Sequence, residues 1–379
     1  MNTGATMAPS GSGQTPPSTP FGTPPWERRA RTACLLALLA FASCGLAALL
    51  GASAASAATK HQLDAAPSLA RIALGPPVIT DSTFDRQAVP GSFWGGPYTT
   101  STGEHVTIYT SRSYPVDDAS NQRWADFLAS LVHGPELSSL TLYLETPAEV
   151  SRTCGGTDIL GCYGRDTIIA PGEDSGGATA ESVITHEYGH HVAANRVNTP
   201  WPAIDWGTKR WSSYLQVCAQ TNAHQLFPGA ETSLEYQFNP GEVFAEDFRV
   251  LNEQRLGLPV APWAVVDASL QPDAQALTLL QEDVLTPWTS NTTTQFSGRF
   301  TARGTSTRTY KLAGALDGNF AAAVQTGAHV RVQVLKAGRV VARGAKSART
   351  IICDGSRNYA VRITRTSGSG PFTLSVSKP

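Results

Sequence analysis

The sequence predicts an α+β domain followed by an all-β sandwich, and three observations carry that prediction. Between His105 and Asn195 the hydrophobic period runs strand, helix, strand, strand, helix. A second helical stretch, from Pro240, repeats the division of the first long helix into an apolar side and a side of ionisable residues. From about Thr289 the period drops to two and stays there to the C-terminus, with Thr, Ser and Gly between the alternating apolar residues.

The 379 residues suffice for two ordinary domains with sizeable cores. A formal net charge of -1 and a pI near 6.7 show no basic excess, which argues against a nucleic-acid partner. Charged residues make up only 16%, and Gly and Pro are plentiful, a balance that suits a secreted, loop-rich protein.

Residues 1–58 read as a leader. The first 26 are rich in Pro, Ser, Thr and Gly and carry too little apolar mass to fold. Arg28, Arg29 and Arg31 then precede an uncharged run from Ala33 to Gly51 that ends in Ala52-Ser53-Ala54-Ala55-Ser56-Ala57. A basic flank, an apolar core and a small-x-small exit make a secretory signal, with cleavage after Ala54 or Ala57. The alternative is an uncleaved membrane anchor formed by residues 33–51, a run close to the minimum length for a span. Cleavage removes Cys34 and Cys44 and leaves Cys154, Cys162, Cys218 and Cys353. In an exported chain these read as two disulfides with three possible connectivities. The short, glycine-containing interval from Cys154 to Cys162 favours a local staple, and Cys218 to Cys353 would then tie the two domains together.

Residues 59–88 have the composition of a linker or short pro-segment, and the first domain is assigned to 89–288. Ordered structure is expected to begin near Pro90, where Phe93, Trp94 and Tyr98 supply aromatic mass. His105 to Thr110 alternates as a strand, and Asn121 to Val132 sets Trp124, Phe127, Leu128 and Leu131 at helical spacing. Leu140 to Leu144 and Asp166 to Ala170 make two more strands. The connection Pro171 to Gly177 contains Glu173 and Asp174, whose oxygens suit calcium or simply a solvated turn. Thr179 is placed as an N-cap, with Glu181 in the first turn.

The next helix carries His186-Glu187-Tyr188-Gly189-His190. At 100° per residue, His186 and His190 sit about 40° apart, one turn above each other, where two imidazoles can hold one metal ion. Glu187 lies about 100° round, beside the ion, in reach of a water to activate. Ile184, Tyr188 and Val192 fall on the opposite side. His191 is turned away from the pair and reads as a core or supporting residue. Gly189 implies close approach of backbone or ligand.

A third ligand is expected from Asn239-Pro240-Gly241-Glu242-Val243-Phe244-Ala245-Glu246, a helix start with Pro at its first position. Glu242 and Glu246 share one side, with Phe244, Phe248 and Leu251 behind. Two assignments stay open here. Glu242 is the ligand, or it folds back as a capping-box carboxylate and Glu246 takes its place. Arg249, on the same side, can pair with either acid. Tyr236 and His224 are the candidate donors to a developing oxyanion.

The His-Glu-x-x-His pattern resembles the zincin metallopeptidases, and Glu-x-x-x-Glu downstream resembles their gluzincin branch. That resemblance implies a zincin-like catalytic domain with a mixed sheet, and one zinc per chain held by His186, His190 and Glu242. It also implies Glu246 as support for a histidine ligand, Glu187 as general base, and a protein or peptide substrate. The strand Thr167 to Ala170 would be the edge on which an extended substrate pairs. The sandwich of 289–379 resembles small domains appended to secreted bacterial peptidases, placed to bind substrate or cell surface or to stabilise its neighbour. Val330, Val332 and Val334, then Tyr359, Val361 and Ile363, then Phe372, Leu374 and Val376 supply its alternation, with a hairpin turn at Ala337-Gly338. Two other readings stand beside the peptidase. One is a secreted binding or adhesion protein with a structural or vestigial metal site; the other is a zinc hydrolase acting on a bond other than a peptide.

Overall fold

The computed structural model describes residues 91–379 apart from 157–158, 232–233, 264, 313, 315 and 355–357. The leader with Cys34 and Cys44, the anchor alternative at 33–51, the linker 59–88 and Pro90 lie outside the described residues. Among the described residues no helix is long and apolar enough to cross a membrane.

The first half is α+β around a mixed five-stranded sheet. Strands β1 (Phe93–Thr99) and β2 (His105–Ser111) pair antiparallel, helix α1 (Asp118–Ser130) follows, and β3 (Thr141–Glu145) runs parallel to β2. After α2 (Pro147–Thr153) come β4 (Cys162–Gly164) and β5 (Thr167–Pro171), giving the order β1-β2-β3-β5-β4. Both faces of the central strands are covered, so β3 and β5 read as continuous apolar runs rather than alternating ones. Leu142, Leu144, Ile168 and Ala170 join the main core, while Tyr143 and Ile169 pack with Val150 and Cys162 on the other face.

The strand expected at the sheet edge is not there. β5 is buried along its length between β3 and β4, and the edge is the three-residue β4. Arg165 and Asp166, both at positive φ (45° and 61°), make the two-residue hairpin turn that folds β4 onto β5. The Cys154–Cys162 disulfide fastens β4 to the end of α2.

Helix α3 (Ala180–Ala194) begins where Thr179 Oγ1 accepts from Ser182 N at 3.1 Å and Asp174 Oδ1 accepts from Ala180 N at 3.1 Å. Asp174 therefore serves the helix start as a cap. The two-sided α3 inferred from its periodicity is instead buried all round, from Ser182 to Ala193. The short strands β6 (Val197–Asn198) and β7 (Trp201–Pro202) lead into α4 (Ala203–Trp206), α5 (Lys209–Tyr214) and α6 (Val217–Asn222). Helix α7 (Pro240–Leu256) starts at Asn239, whose Oδ1 accepts from Gly241 N at 3.0 Å, and stops at Gly257 in the left-handed region. It packs along α3. A Cβ placed on Gly189 would lie 2.8 Å from Ala245 Cα and 3.2 Å from Ala245 O, so the two backbones meet where only glycine fits. Helix α8 (Ala274–Leu285) completes this half.

The C-terminal half is entirely antiparallel. It comprises β8 (Thr292–Phe300), β9 (Thr307–Lys311), β10 (Gly318–Thr326), β11 (His329–Lys336), β12 (Arg339–Gly344), β13 (Ser347–Ile352), β14 (Tyr359–Ser367) and β15 (Gly370–Lys378). The strands form two sheets of order β13-β10-β15-β8 and β12-β11-β14-β9. The nine alternating residues named from the sequence all face the shared core. Ala337 and Gly338 turn β11 into β12 at φ values of 46° and 80°.

The halves are joined by Cys218–Cys353 and by a buried lysine. Lys209 Nζ donates to Thr199 O at 2.8 Å and Asp317 O at 2.9 Å, and lies 4.5 Å from the centre of the Trp288 ring. Burial brings its pKa down to about 8. Both bridges are the pairing favoured by cysteine spacing, and they are compatible with a secreted or extracellular protein.

Because Ala245 backbone blocks the space beside Gly189, Gly189→Ala is expected to cost about 1–3 kcal/mol through forced separation of α3 and α7. Denaturant unfolding measures it, and an unchanged midpoint would contradict the close crossing.

Candidate metal centre

α3 sets the rings of His186 and His190 with centroids 5.0 Å apart, and α7 brings Glu242 to them. Glu242 Oε2 lies 3.4 Å from His186 Nε2 and 3.6 Å from His190 Nε2. One ligand atom from each of the three residues falls within 4.8 Å of the others, and all three side chains are fully buried. His186 Nε2, His190 Nε2 and Glu242 Oε1 have no hydrogen-bond partner among the described residues. Polar atoms buried without partners are costly, and two imidazole nitrogens converging with a carboxylate oxygen are a donor set for a divalent cation. The residues present therefore fit a metal ion.

The two acids of α7 stand in different places, and it is Glu242 that joins the histidine pair. Asn239 caps the helix, so Glu242 is free to turn inward, where it also accepts from Tyr236 Oη at 2.7 Å. Glu246 meets the far side of the first imidazole, with Oε2 3.1 Å from His186 Nδ1. Arg249 is not on a solvated helix face as its pairing with either acid allowed; it is buried and donates to Glu246 from Nε at 3.0 Å and from Nη2 at 2.5 Å. Its Nη1 reaches Glu253 at 2.5 Å, and Ser182 Oγ on α3 donates to the same carboxylate at 2.6 Å. A line of charge-assisted bonds thus runs from His186 through α7 and back to the start of α3.

Electrostatics follow from burial and these partners. Burial alone would lower the His186 pKa, but Glu242 and Glu246 outweigh it and hold it up at about 10. Burial keeps His190 below its ordinary value. Burial opposes ionisation of Glu242, yet the two histidines prevail and bring it down to about 2. Glu187 is the reverse case. Burial, reinforced by Glu242 and opposed by His186, raises it to about 8. Both of its oxygens lack partners among the described residues, and a Cβ on Gly161 would stand 3.0 Å from Oε1.

His186, Glu187, His190, Tyr236, Glu242 and Glu246 are brought together in this way. His224 is not: it is exposed, sits in the left-handed turn after α6 (φ 57°), and no hydrogen bond or ion pair among the described residues joins its side chain to the centre. His191 is in the core, with Nε2 2.9 Å from Glu136 O. Three contributors escaped sequence reasoning. Tyr163 stacks near His190 at 6.5 Å between centroids, Gly161 makes room for Glu187, and Glu253 shares Arg249. Only Glu253 left a signal, the four-residue interval from Arg249.

No protein-family model matches the chain, and no curated protein matches it. Among solved structures, that of Aeromonas hydrophila PliG, a periplasmic lysozyme inhibitor of g-type lysozyme, aligns with 24% of this chain and 88% of its own at 15% identity. Its TM-score is 0.20, a likeness too slight to bear on fold or function.

Replacing Glu246 by Gln keeps the shape but removes the charge facing His186 Nδ1, so metal affinity is expected to fall about 10- to 100-fold. Competition with a chromophoric chelator measures this, and unchanged affinity would detach Glu246 from the centre. Arg249→Met takes the shared guanidinium from two buried carboxylates, leaving Glu246 with only His186 and Glu253 with only neutral donors, and is expected to cost roughly 3–5 kcal/mol of stability by denaturant unfolding.

Proposed function

We propose that this chain is a secreted zinc-dependent endopeptidase of the gluzincin type, with a zincin-like first domain. The observation that carries the reading is Glu187, a carboxylate with both oxygens buried and unpartnered, standing beside a convergent His186, His190 and Glu242. A site that only holds a metal for structure needs no such carboxylate. This separates the proposal from the alternative of a binding or adhesion protein with a structural or vestigial ion.

His186, His190 and Glu242 would hold the zinc, for which two nitrogens and one oxygen are a suitable set. When bound, the ion supplies Lewis acidity, polarising a carbonyl and making a water easier to deprotonate. Glu187 takes the proton from the attacking water and delivers it to the departing amine. Burial raises the pKa of Glu187, which makes its carboxylate the more basic. Tyr236, whose hydroxyl already donates at the centre and whose pKa burial raises well above the ordinary phenol value, is a protonated donor for the developing oxyanion. Glu246, clamped by Arg249, keeps the His186 ring oriented with Nε2 inward. His224 has no part in this scheme. The tight fit at β5 gives no free edge there for substrate pairing, so binding of an extended peptide is assigned elsewhere on the domain.

The test is hydrolysis of an unfolded protein by the parent and by Glu187→Gln, with metal content measured on both. We expect one zinc per chain in each and a loss of roughly 100- to 10,000-fold in turnover for the variant. Retained turnover would remove Glu187 as base, and a parent that holds zinc but cuts small esters instead of protein would favour the non-peptide hydrolase. Tyr236→Phe is expected to lower kcat about 100-fold with little change in zinc content, and equal kcat would remove the tyrosine from the reaction.

A further inference from the structure

The near-zero charge of the whole chain hides two opposed halves. Residues 289–379 carry fourteen Lys and Arg against two acids, Asp317 and Asp354, a net charge of +12. The preceding 288 residues carry fifteen basic and twenty-eight acidic side chains, a net charge of -13. The structure also takes the two acids of the sandwich out of play. Asp317 is buried and accepts from Asp354 N at 2.8 Å, and Asp354 is paired with Lys336 at 2.5 Å. The charge left on the surface of this half is thus almost purely cationic.

The strand register concentrates part of that charge on one flat face. In the sheet β12-β11-β14-β9, Val361 and Ile363 point to the core, so Arg362 between them points outward. Arg343, Gln333, Arg362 and Thr309 are mutual partners in one row across the four strands. The neighbouring row on the same face holds Arg331, Thr364 and Thr307. From ordinary strand spacing, the Cα atoms of Arg331, Arg343 and Arg362 form a triangle with sides of about 8 to 10 Å. No carboxylate stands in either row. The outer face of the opposite sheet is different, made largely of Ser, Thr, Ala and Gln with the exposed Asn319 and Ile351, and with Arg349 and Arg299 in its edge strands.

We infer that the sandwich is a docking module for an acidic polysaccharide, bound across the β12-β11-β14-β9 face. Three features select that occupant. Guanidinium groups alternate with the hydroxyl and amide side chains of Thr307, Thr309, Thr364 and Gln333, which matches a polymer carrying both anionic groups and hydroxyls. Four of the six Phe and Tyr residues of the sandwich are buried in its core and the other two, Phe296 and Tyr310, pack against it, so a single-stranded nucleic acid finds no projecting Phe or Tyr on which to stack. The face is a sheet surface without a projecting helix or ribbon to enter a duplex groove. The acidic first half would be repelled by the same polymer, which orients the chain with the sandwich against it and the metal centre away from it.

The experiment measures binding of fluorescently labelled heparin, a sulfated polysaccharide, and polygalacturonate, a carboxylated one, to the full chain over a range of salt. The comparison variant is Arg343→Glu/Arg362→Glu, and the control is Arg299→Glu/Arg349→Glu, which makes the same change in net charge on the opposite sheet. Thermal unfolding checks that both variants fold. We expect salt-dependent binding by the parent, a loss of about 10-fold or more in the first variant and a smaller loss in the control. Equal loss in both would overturn the face assignment and leave net charge alone. Tighter binding of a DNA duplex or of phosphatidylglycerol vesicles than of either polysaccharide would overturn the choice of ligand, as would salt-sensitive self-association seen by sedimentation, which would assign the face to the acidic half of another copy. The inference is independent of the peptidase reading, since none of these measurements uses hydrolysis.

Discussion

A low-dielectric interior does not accept unbalanced charge, and the first half of this molecule is arranged around that constraint. Glu187, Glu242, Glu246 and Glu253 are each 2% exposed or less, on two helices packed against each other. Isolated ionised carboxylates in such a place would cost many kcal/mol or give up their charge. Arg249 answers Glu246 and Glu253, and the imidazoles of His186 and His190 answer Glu242. Glu187 is left to burial, which raises its pKa, whereas Glu242 and Glu246 are held below the ordinary carboxylate value by their partners. The rest of the architecture makes this balance possible. Gly189 lets α3 and α7 come together closely enough for opposite charges to meet, and Thr179 and Asn239 fix where each helix starts, hence which residues face the centre.

The parts of this that were readable in the sequence are those with local causes. Helical spacing placed His186 beside His190 and Glu242 beside Glu246, and Asn239-Pro240 marked the start of α7. Period-two alternation marked the sandwich core because each of its sheets has one wet face, so inward and outward positions differ in chemistry. Where burial is two-sided the signal fades. α3 carries apolar and ionisable residues alike into the interior, and its periodicity gave no hint that both sides are covered. β4 was missed because three residues are too few to show a period. α2 was missed although Thr146 and Glu149 form a capping box with Pro147 at the first position, a pattern that was there to be seen. The placement of His224 is of another kind: nothing local says whether a polar residue after a short helix faces inward or outward.

Charge shows the danger of a sum taken over the wrong unit. Over the whole chain it is close to zero, and taken that way it argues against any polyanionic partner. Taken over the sandwich alone it is the most pronounced compositional feature of the molecule. At the seam between the halves, Lys209 is enclosed by carbonyl oxygens and tryptophan rings, and burial brings its pKa down to about 8 against the pull of Asp317 and Asp283.

The Cys218–Cys353 bridge spans 135 residues, and the loop it closes contains α7, α8 and most of the sandwich. A backbone cut anywhere in that loop leaves the two pieces covalently joined, and the Lys209 contacts hold the seam in register. The helix bearing Glu242 and the helix bearing His186 would stay in one molecule after such a nick. In a medium where a chain is exposed to proteolysis, the bridge therefore acts as insurance: clipped molecules separate into fragments only when the disulfide is also reduced.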